Sequence, residues 1–232
     1  MSEFFRIFPK IIAELAQGFG ITVLLFALTL LLALPLGLIM AFGSMSKIKP
    51  IKYVVKGIIW VIRGTPLLLQ ILLISFLPTF MFKVMNKDLA GFFGISINSL
   101  MFVFVLVAFT INYACYFSEI YRAGIESMSA GQYEAGKVLG MSKRQIFFQV
   151  IFIQVVKRIV PPMSNEIITL VKDTALAQIL GVVDLLNAAN HAVNTFAVLS
   201  PFLYAAIFYL LFNGLLTILF GKIEKRLSYF RS

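Results

Sequence analysis

The chain has 232 residues, 60% of them hydrophobic and 13% charged; a soluble domain carries roughly 45–50% apolar and about 25% charged residues, so this one has too little polar surface to wrap a core in water. The formal net charge of +10 would point to nucleic acid in a soluble protein, but in a chain this apolar it reports Lys and Arg gathered on one side of a lipid bilayer. Nucleic acid is thereby excluded as a partner, and the single cysteine, Cys115, excludes an internal disulfide and a thiolate metal cluster.

A transmembrane helix needs roughly 20 apolar residues, and a charge at the bilayer centre costs about 2.5–3.5 kcal/mol, so uncharged runs locate the crossings. Residues 15–46 contain no charged residue and predict a first span over 17–42. That run outlasts the core of a signal peptide and offers no convincing cleavage site, so it is read as retained. Residues 43–63 mix lysines with apolar positions and predict a short interfacial helix that turns into a second span over 64–82. The third span is 97–118. A fourth, 161–182, is kept although Glu166, Lys172 and Asp173 interrupt it. Without it, the basic segment before it and the basic C-terminus would face opposite sides. The fifth span is 198–221, with Tyr229 beyond it as an interface anchor.

The expected fold class is therefore all-α, one polytopic domain of five transmembrane helices over residues 1–232. Only Arg6, Lys10, Lys83 and Lys87 fall on the lightly charged side, which places the N-terminus outside and the C-terminus in the cytoplasm of a multi-pass membrane protein.

The longest polar stretch, 119–158, lies between spans three and four on the cytoplasmic side. Within it, Ser129 can cap a helix starting near Gln132, with Glu134 in the first turn, where a negative charge meets free amide groups. Ala135, Gly136 and Gly140 give a small-residue surface beside Val138 and Leu139. Gly140 closes that helix and Ser142 can cap the next. Two short helices joined at a glycine would fit a groove on another protein, although the spacing alone favours a solvated loop helix.

Gly131-Gln132-Tyr133-Glu134-Ala135-Gly136, followed by Gly140, resembles the EAA loop of the membrane subunits of type I ABC importers. More narrowly, residues 15–227 resemble the polar amino-acid permease family. The matching pieces are Arg63-Gly64-Thr65-Pro66, Glu119-Ile120-Tyr121-Arg122 with Gly124-Ile125, then Gln154, Arg158 and Pro161-Pro162, and finally Asn165-Glu166 and Lys172-Asp173-Thr174-Ala175-Leu176. Two departures stand out. Gly136 replaces the second alanine of the EAA motif, and Val150-Ile151-Phe152-Ile153 lacks the proline of the family's Ile-x-Leu-Pro pattern. The resemblance implies an ATP-driven importer of a polar amino acid in which residues 127–145, notably Gly131, Glu134, Ala135, Gly136 and Gly140, dock on the ATPase. It also implies two ATPase subunits that hold the ATP and Mg, a second identical or similar permease, and an extracytoplasmic amino-acid-binding protein.

No G-x-x-x-x-G-K-[ST] occurs, so this chain does not bind ATP in the Walker manner and its energy must come from another polypeptide; the resemblance implies a translocation subunit with no cofactor and no enzymatic activity of its own. Charged residues inside a membrane default to function. Glu166 and Asp173, seven residues apart, fall within about 20° of one helix face. With Lys172, Thr174 and Asn165 they offer an anion and donors for a zwitterionic amino acid. A structural Lys172/Asp173 pair or a dimer seam remains open. If Pro161-Pro162 begin the helix, Glu166 lies near the cytoplasmic surface and Asp173 near mid-membrane. Arg63 and Arg122, at cytoplasmic span ends, either snorkel to lipid phosphates or serve gating and docking. His191, the sole histidine, has no Cys, Asp or Glu at ligand spacing, and no metal site is expected. The rival functions are an ion-coupled secondary transporter with a Glu166/Lys172/Asp173 coupling site and an intramembrane serine protease. The second needs His191 at membrane depth, where it is not expected.

Overall fold

The computed structural model describes residues 2–227, with side chains from residue 7 onward; Tyr229 lies outside the described residues. The chain is a bundle of ten α-helices and two tighter or wider turns: α1 (Ser2–Ser44), α2 (Lys49–Arg63), α3 (Leu67–Phe82), α4 (Asn86–Phe92), α5 (Ile97–Glu126), α6 (Ala130–Val138), α7 (Lys143–Gln145), a π-helical segment (Ile146–Ile151), α8 (Phe152–Asp173), a 3₁₀ segment (Thr174–Leu180), α9 (Leu185–Phe196) and α10 (Ser200–Leu227). No strand occurs among the described residues. Four helical runs are long and apolar enough to cross a membrane, and a fifth crossing results if α2 and α3, bent by 109°, count as one.

Helix α5 is the hub. Val105, Phe109, Tyr113 and Phe117 recur every fourth residue, so they form one buried stripe, with ring centroids 6.3 Å apart for Phe109–Tyr113 and 5.9 Å for Tyr113–Phe117. Helices α1, α2, α3, α4 and α8 all pack on it. The approach of α1 is close because a glycine sits at the crossing. A Cβ on Gly37 would stand 2.9 Å from both the Ala114 carbonyl oxygen and Phe117 Cβ. Lipid gives helices no hydrophobic drive to associate, so contact through small residues is what holds such a pair together.

The corner between α2 and α3 is built from Gly64, Thr65 and Pro66. Proline cannot donate, so the turn frees carbonyls that lipid would leave unsatisfied. Gln70 answers them: its Nε2 donates to Ile62 O at 2.8 Å, Thr65 O at 3.1 Å and Thr65 Oγ1 at 2.9 Å. Its Oε1 accepts from Asn112 Nδ2 of α5 at 2.9 Å, so one buried amide pins the corner to the hub.

One end of the bundle carries α2, the C-terminal end of α5, and α6 with α7. At the other end Glu14 of α1 pairs with His191 of α9, and the fully buried Asp184 caps α9 by accepting from Leu186 N at 3.2 Å and Asn187 N at 3.0 Å. Two local expectations are corrected. Pro161 and Pro162 lie inside α8, which begins at Phe152, because the helix continues from the π-helical segment instead of starting anew at the prolines. Helix α6 begins at Ala130, so Glu134 stands just past its first turn, and Ser129 makes no side-chain cap bond.

The α1–α5 contact sets a test by thermal unfolding in detergent. Gly37→Leu is expected to destabilise by about 1–3 kcal/mol through overpacking. Gly20→Leu, whose Cβ would meet nothing within 4 Å, is expected to unfold near the native temperature; equal losses would contradict this packing.

Candidate coupling segment and polar cavity

Beyond α5 the chain leaves the bundle and returns through two short helices. Helix α6 ends at Val138, and Gly140, just past its cap, has a φ of +74°, a left-handed turn that glycine adopts without strain. Helix α7 then opens with a capping box: Ser142 Oγ accepts from Gln145 N at 3.3 Å, and Gln145 Oε1 accepts from Ser142 N at 2.8 Å. The box fixes the angle between the two helices. Gly136 is buried here, and a Cβ on it would stand 2.7 Å from Ile146 Cγ1. Glycine replaces the alanine of the resembled motif where the buried Ile146 fills the space. The proline-less stretch downstream ends a π-helical turn, Ile146–Ile151.

The outer surface of this elbow is apolar at Val138 and Leu139 and charged around them, with Glu134, Lys137, Lys143 and Arg144 all exposed. Val138 is 87% and Leu139 78% exposed, while Glu134 is exposed and has no ion-pair partner among the described residues. Gly131, Ala135, Gly136, Leu139 and Gln154 help line a concavity of about 380 Å³ behind it. The elbow is tied to α8 by Gln154, which donates to Gln132 Oε1, and by Arg158 Nη1, which donates to the Ser127 carbonyl at 2.7 Å.

A second cavity, about 430 Å³, opens between α5 and α8 at the same end, with Arg63, Tyr116, Glu119, Arg122, Arg158 and Glu166 in its wall. Glu119 is its electrostatic centre. Arg122 donates to it through Nε at 3.0 Å and Nη2 at 2.7 Å, a two-pronged pairing that holds both planes in register. Arg63 approaches the same carboxylate at 3.6 Å and lies over the Tyr116 ring at 5.1 Å. Arg122 also reaches Glu126 at 2.6 Å. The two arginines thus point to a shared acid and not outward to lipid phosphate. Glu119 and Glu126 were missed as site residues, although their i, i+3 and i, i+4 spacing to Arg122 was visible in the sequence.

Deeper along α8, Asp173 Oδ2 accepts from Tyr113 Oη at 2.6 Å, so the partner of this carboxylate is a tyrosine of the hub and not the neighbouring Lys172, which is exposed. Glu166 lies on the same face, one cavity wall below. Asn165 is exposed and lines neither cavity, and Thr174 is fully buried with its hydroxyl donating to Val171 O at 2.6 Å. The structure therefore brings together Arg63, Arg122 and Glu166, sets Asp173 above them, and leaves Asn165 and Thr174 aside. Tyr113, the group that reaches Asp173 from another helix, was not legible as a site residue because nothing in the sequence sets it beside α8.

Known proteins match this architecture. The chain is 35% identical over 216 residues to the L-cystine transport system permease protein TcyB of Bacillus subtilis, covering 92% of this chain and 86% of that one. It is 30% identical to the arginine transport system permease protein ArtQ of the same organism, covering 91% of each. A crystal structure of an amino acid ABC transporter with histidines superposes with a TM-score of 0.80 at 32% identity, over 94% of this chain and 96% of that one. Residues 33–229 match the description of a binding-protein-dependent transport system inner membrane component, and the chain belongs to that family of ABC transporter permeases.

Proposed function

We propose that this chain is the passive, membrane-spanning half of an importer for a polar amino acid, moved by ATPase subunits through the elbow at residues 127–145. The observation that carries the reading is the elbow itself: a rigid, capped pair of short helices that shows Val138, Leu139 and an unpaired Glu134 to the outside at the end of the hub helix. ATP and Mg stay with two partner ATPases. A second permease copy and an extracytoplasmic binding protein complete the assembly, with this chain's N-terminus outside and its C-terminus in the cytoplasm. The family membership leaves the ion-coupled and protease readings without support.

Nucleotide-driven closure of the ATPases would push the elbow as one body. Gln154 and Arg158 pass the motion to α8, and α5 passes it to the rest of the bundle. The cavity between α5 and α8 is of a size for small ligands. There Glu166 supplies an anion for an ammonium group, and Arg63 and Arg122 supply donors for a carboxylate while Glu119 keeps them aligned; Asp173, about two helical turns further along α8 and bonded to Tyr113, would offer a second anion beyond that wall. Lys172, Asn165 and Thr174 are the weaker members of the proposed set: Lys172 and Asn165 are exposed outside that cavity's lining, and Thr174 is buried with its hydroxyl turned to Val171 O. The cystine and arginine permeases among the relatives fix no single substrate, because specificity depends on side chains converging from several helices.

Reversing the charge at position 134 with Glu134→Lys is expected to cut ATP-dependent uptake at least tenfold and to reduce copurification of the ATPase, with the permease still folded by its detergent melting profile. Undiminished uptake would remove the coupling role. For the cavity, Asp173→Asn and Glu166→Gln are each expected to lower uptake about tenfold or more, equivalent to at least 1.4 kcal/mol, with the complex intact and its basal ATPase rate retained. Native uptake and substrate preference in both would reject the binding assignment.

A further inference from the structure

Glu119 has a cavity on each side. Besides the one between α5 and α8, a larger one of about 560 Å³ opens between α2 and α5, with Lys56, Trp60, Arg63, Tyr116, Glu119 and Arg122 in its wall. The two share Arg63, Tyr116, Glu119 and Arg122, so a molecule held in either meets the same field. Cations outnumber acids in both. The α2–α5 wall sets Lys56, Arg63 and Arg122 against Glu119 alone, and the α5–α8 wall sets Arg63, Arg122 and Arg158 against Glu119 and Glu166.

The pairing sharpens that excess. Glu119 is taken by Arg122 through two bonds and approached by Arg63, and Lys56, which is exposed, shares the same carboxylate. Arg158 donates to the Ser127 carbonyl, a neutral partner that leaves its charge uncompensated. Glu166 has no ion-pair partner among the described residues, so these walls keep one acid for a ligand. The α-ammonium of an amino acid takes it. A second ammonium, or a guanidinium, in the side chain would then face Lys56, Arg63 and Arg158 with no free acid beside it. Asp173, the further acid on α8, is already bonded to Tyr113 and stands next to Lys172. Resting on the importer reading above, we infer that the substrate is an amino acid without a positively charged side chain, neutral or acidic, and that Lys56 is a residue that turns cationic amino acids away.

Equilibrium dialysis of the assembled importer, with no binding protein present, separates the permease's own preference from that of the binding protein. The probes are radiolabelled L-glutamate, L-glutamine, L-cystine, L-citrulline and L-arginine; the last two have nearly the same shape and differ by one positive charge. At least one of the four without net positive charge is expected to be retained. Arginine is expected to bind about tenfold more weakly than the best of them, and no more tightly than citrulline. Lys56→Glu is expected to raise arginine binding relative to that best ligand by about tenfold. Lys222→Glu, the same charge change at an exposed position in neither wall, is expected to keep the native order. Arginine retained as well as the others, or an order untouched by Lys56→Glu, overturns the proposal while leaving the importer reading in place, and would hand a cationic side chain to Asp173. Retention of none of the five, with the ATPase still copurifying, would overturn the binding role of the cavity and the proposal with it.

Discussion

A transmembrane chain has to satisfy its backbone from within, and the corner at Gly64-Thr65-Pro66 is where this chain meets that constraint most acutely. A 109° bend at the membrane boundary exposes carbonyls that, in lipid, would cost several kcal/mol each. One glutamine side chain covers two of them and a hydroxyl, and its own oxygen is held by Asn112. Because the corner is closed, α2 can lie across the ends of α1 and α5 while α3 runs through the bundle. The same corner delivers Arg63, the last residue of α2, to Glu119.

From that corner the structure reads as a beam with attachments. Helix α5 carries a buried aromatic stripe on which the other spans rest, Asn112 and Tyr113 as its contacts to α3 and α8, and Glu119, Arg122 and Glu126 as a charged collar. Past the collar the chain passes directly into the elbow. The return path, α8, is tied to the elbow at Gln154 and Arg158 and to the beam at Tyr113 and at Gly124, where a Cβ would stand 2.3 Å from Ile159 Cγ2. Movement of the elbow would therefore reach both walls of the polar cavity. The proposed site and the proposed lever share two helices, so an outside motor acting on one would act on the other.

Much of this was legible in the sequence because lipid imposes long, uncharged runs and because glycine and serine mark helix ends. Gly140 and Ser142 bracket the elbow as their chemistry predicts. The resembled motifs held their order around it. What stayed hidden was of two kinds. Contacts between helices distant in sequence, such as Gln70 with Asn112 and Tyr113 with Asp173, have no local signature. Local signals were also overridden by packing: Pro161-Pro162 looked like a helix start, yet α8 runs through them because nine residues of helix precede them. Gly136 looked like a weakened motif, and its reason is the side chain of Ile146, ten residues on.

The most direct test of the account is a thiol crosslink from the elbow. Cys115 is fully buried, so Val138→Cys places one reactive thiol on the exposed surface of α6, and Leu203→Cys on the 67% exposed surface of α10 serves as its control. In the assembled importer, a short bifunctional reagent is expected to join position 138, and not position 203, to the ATPase subunit, with a yield that changes when nucleotide is bound. Failure of position 138 to capture the ATPase, or its labelling by an impermeant reagent from the outer face of sealed cells, would contradict the account.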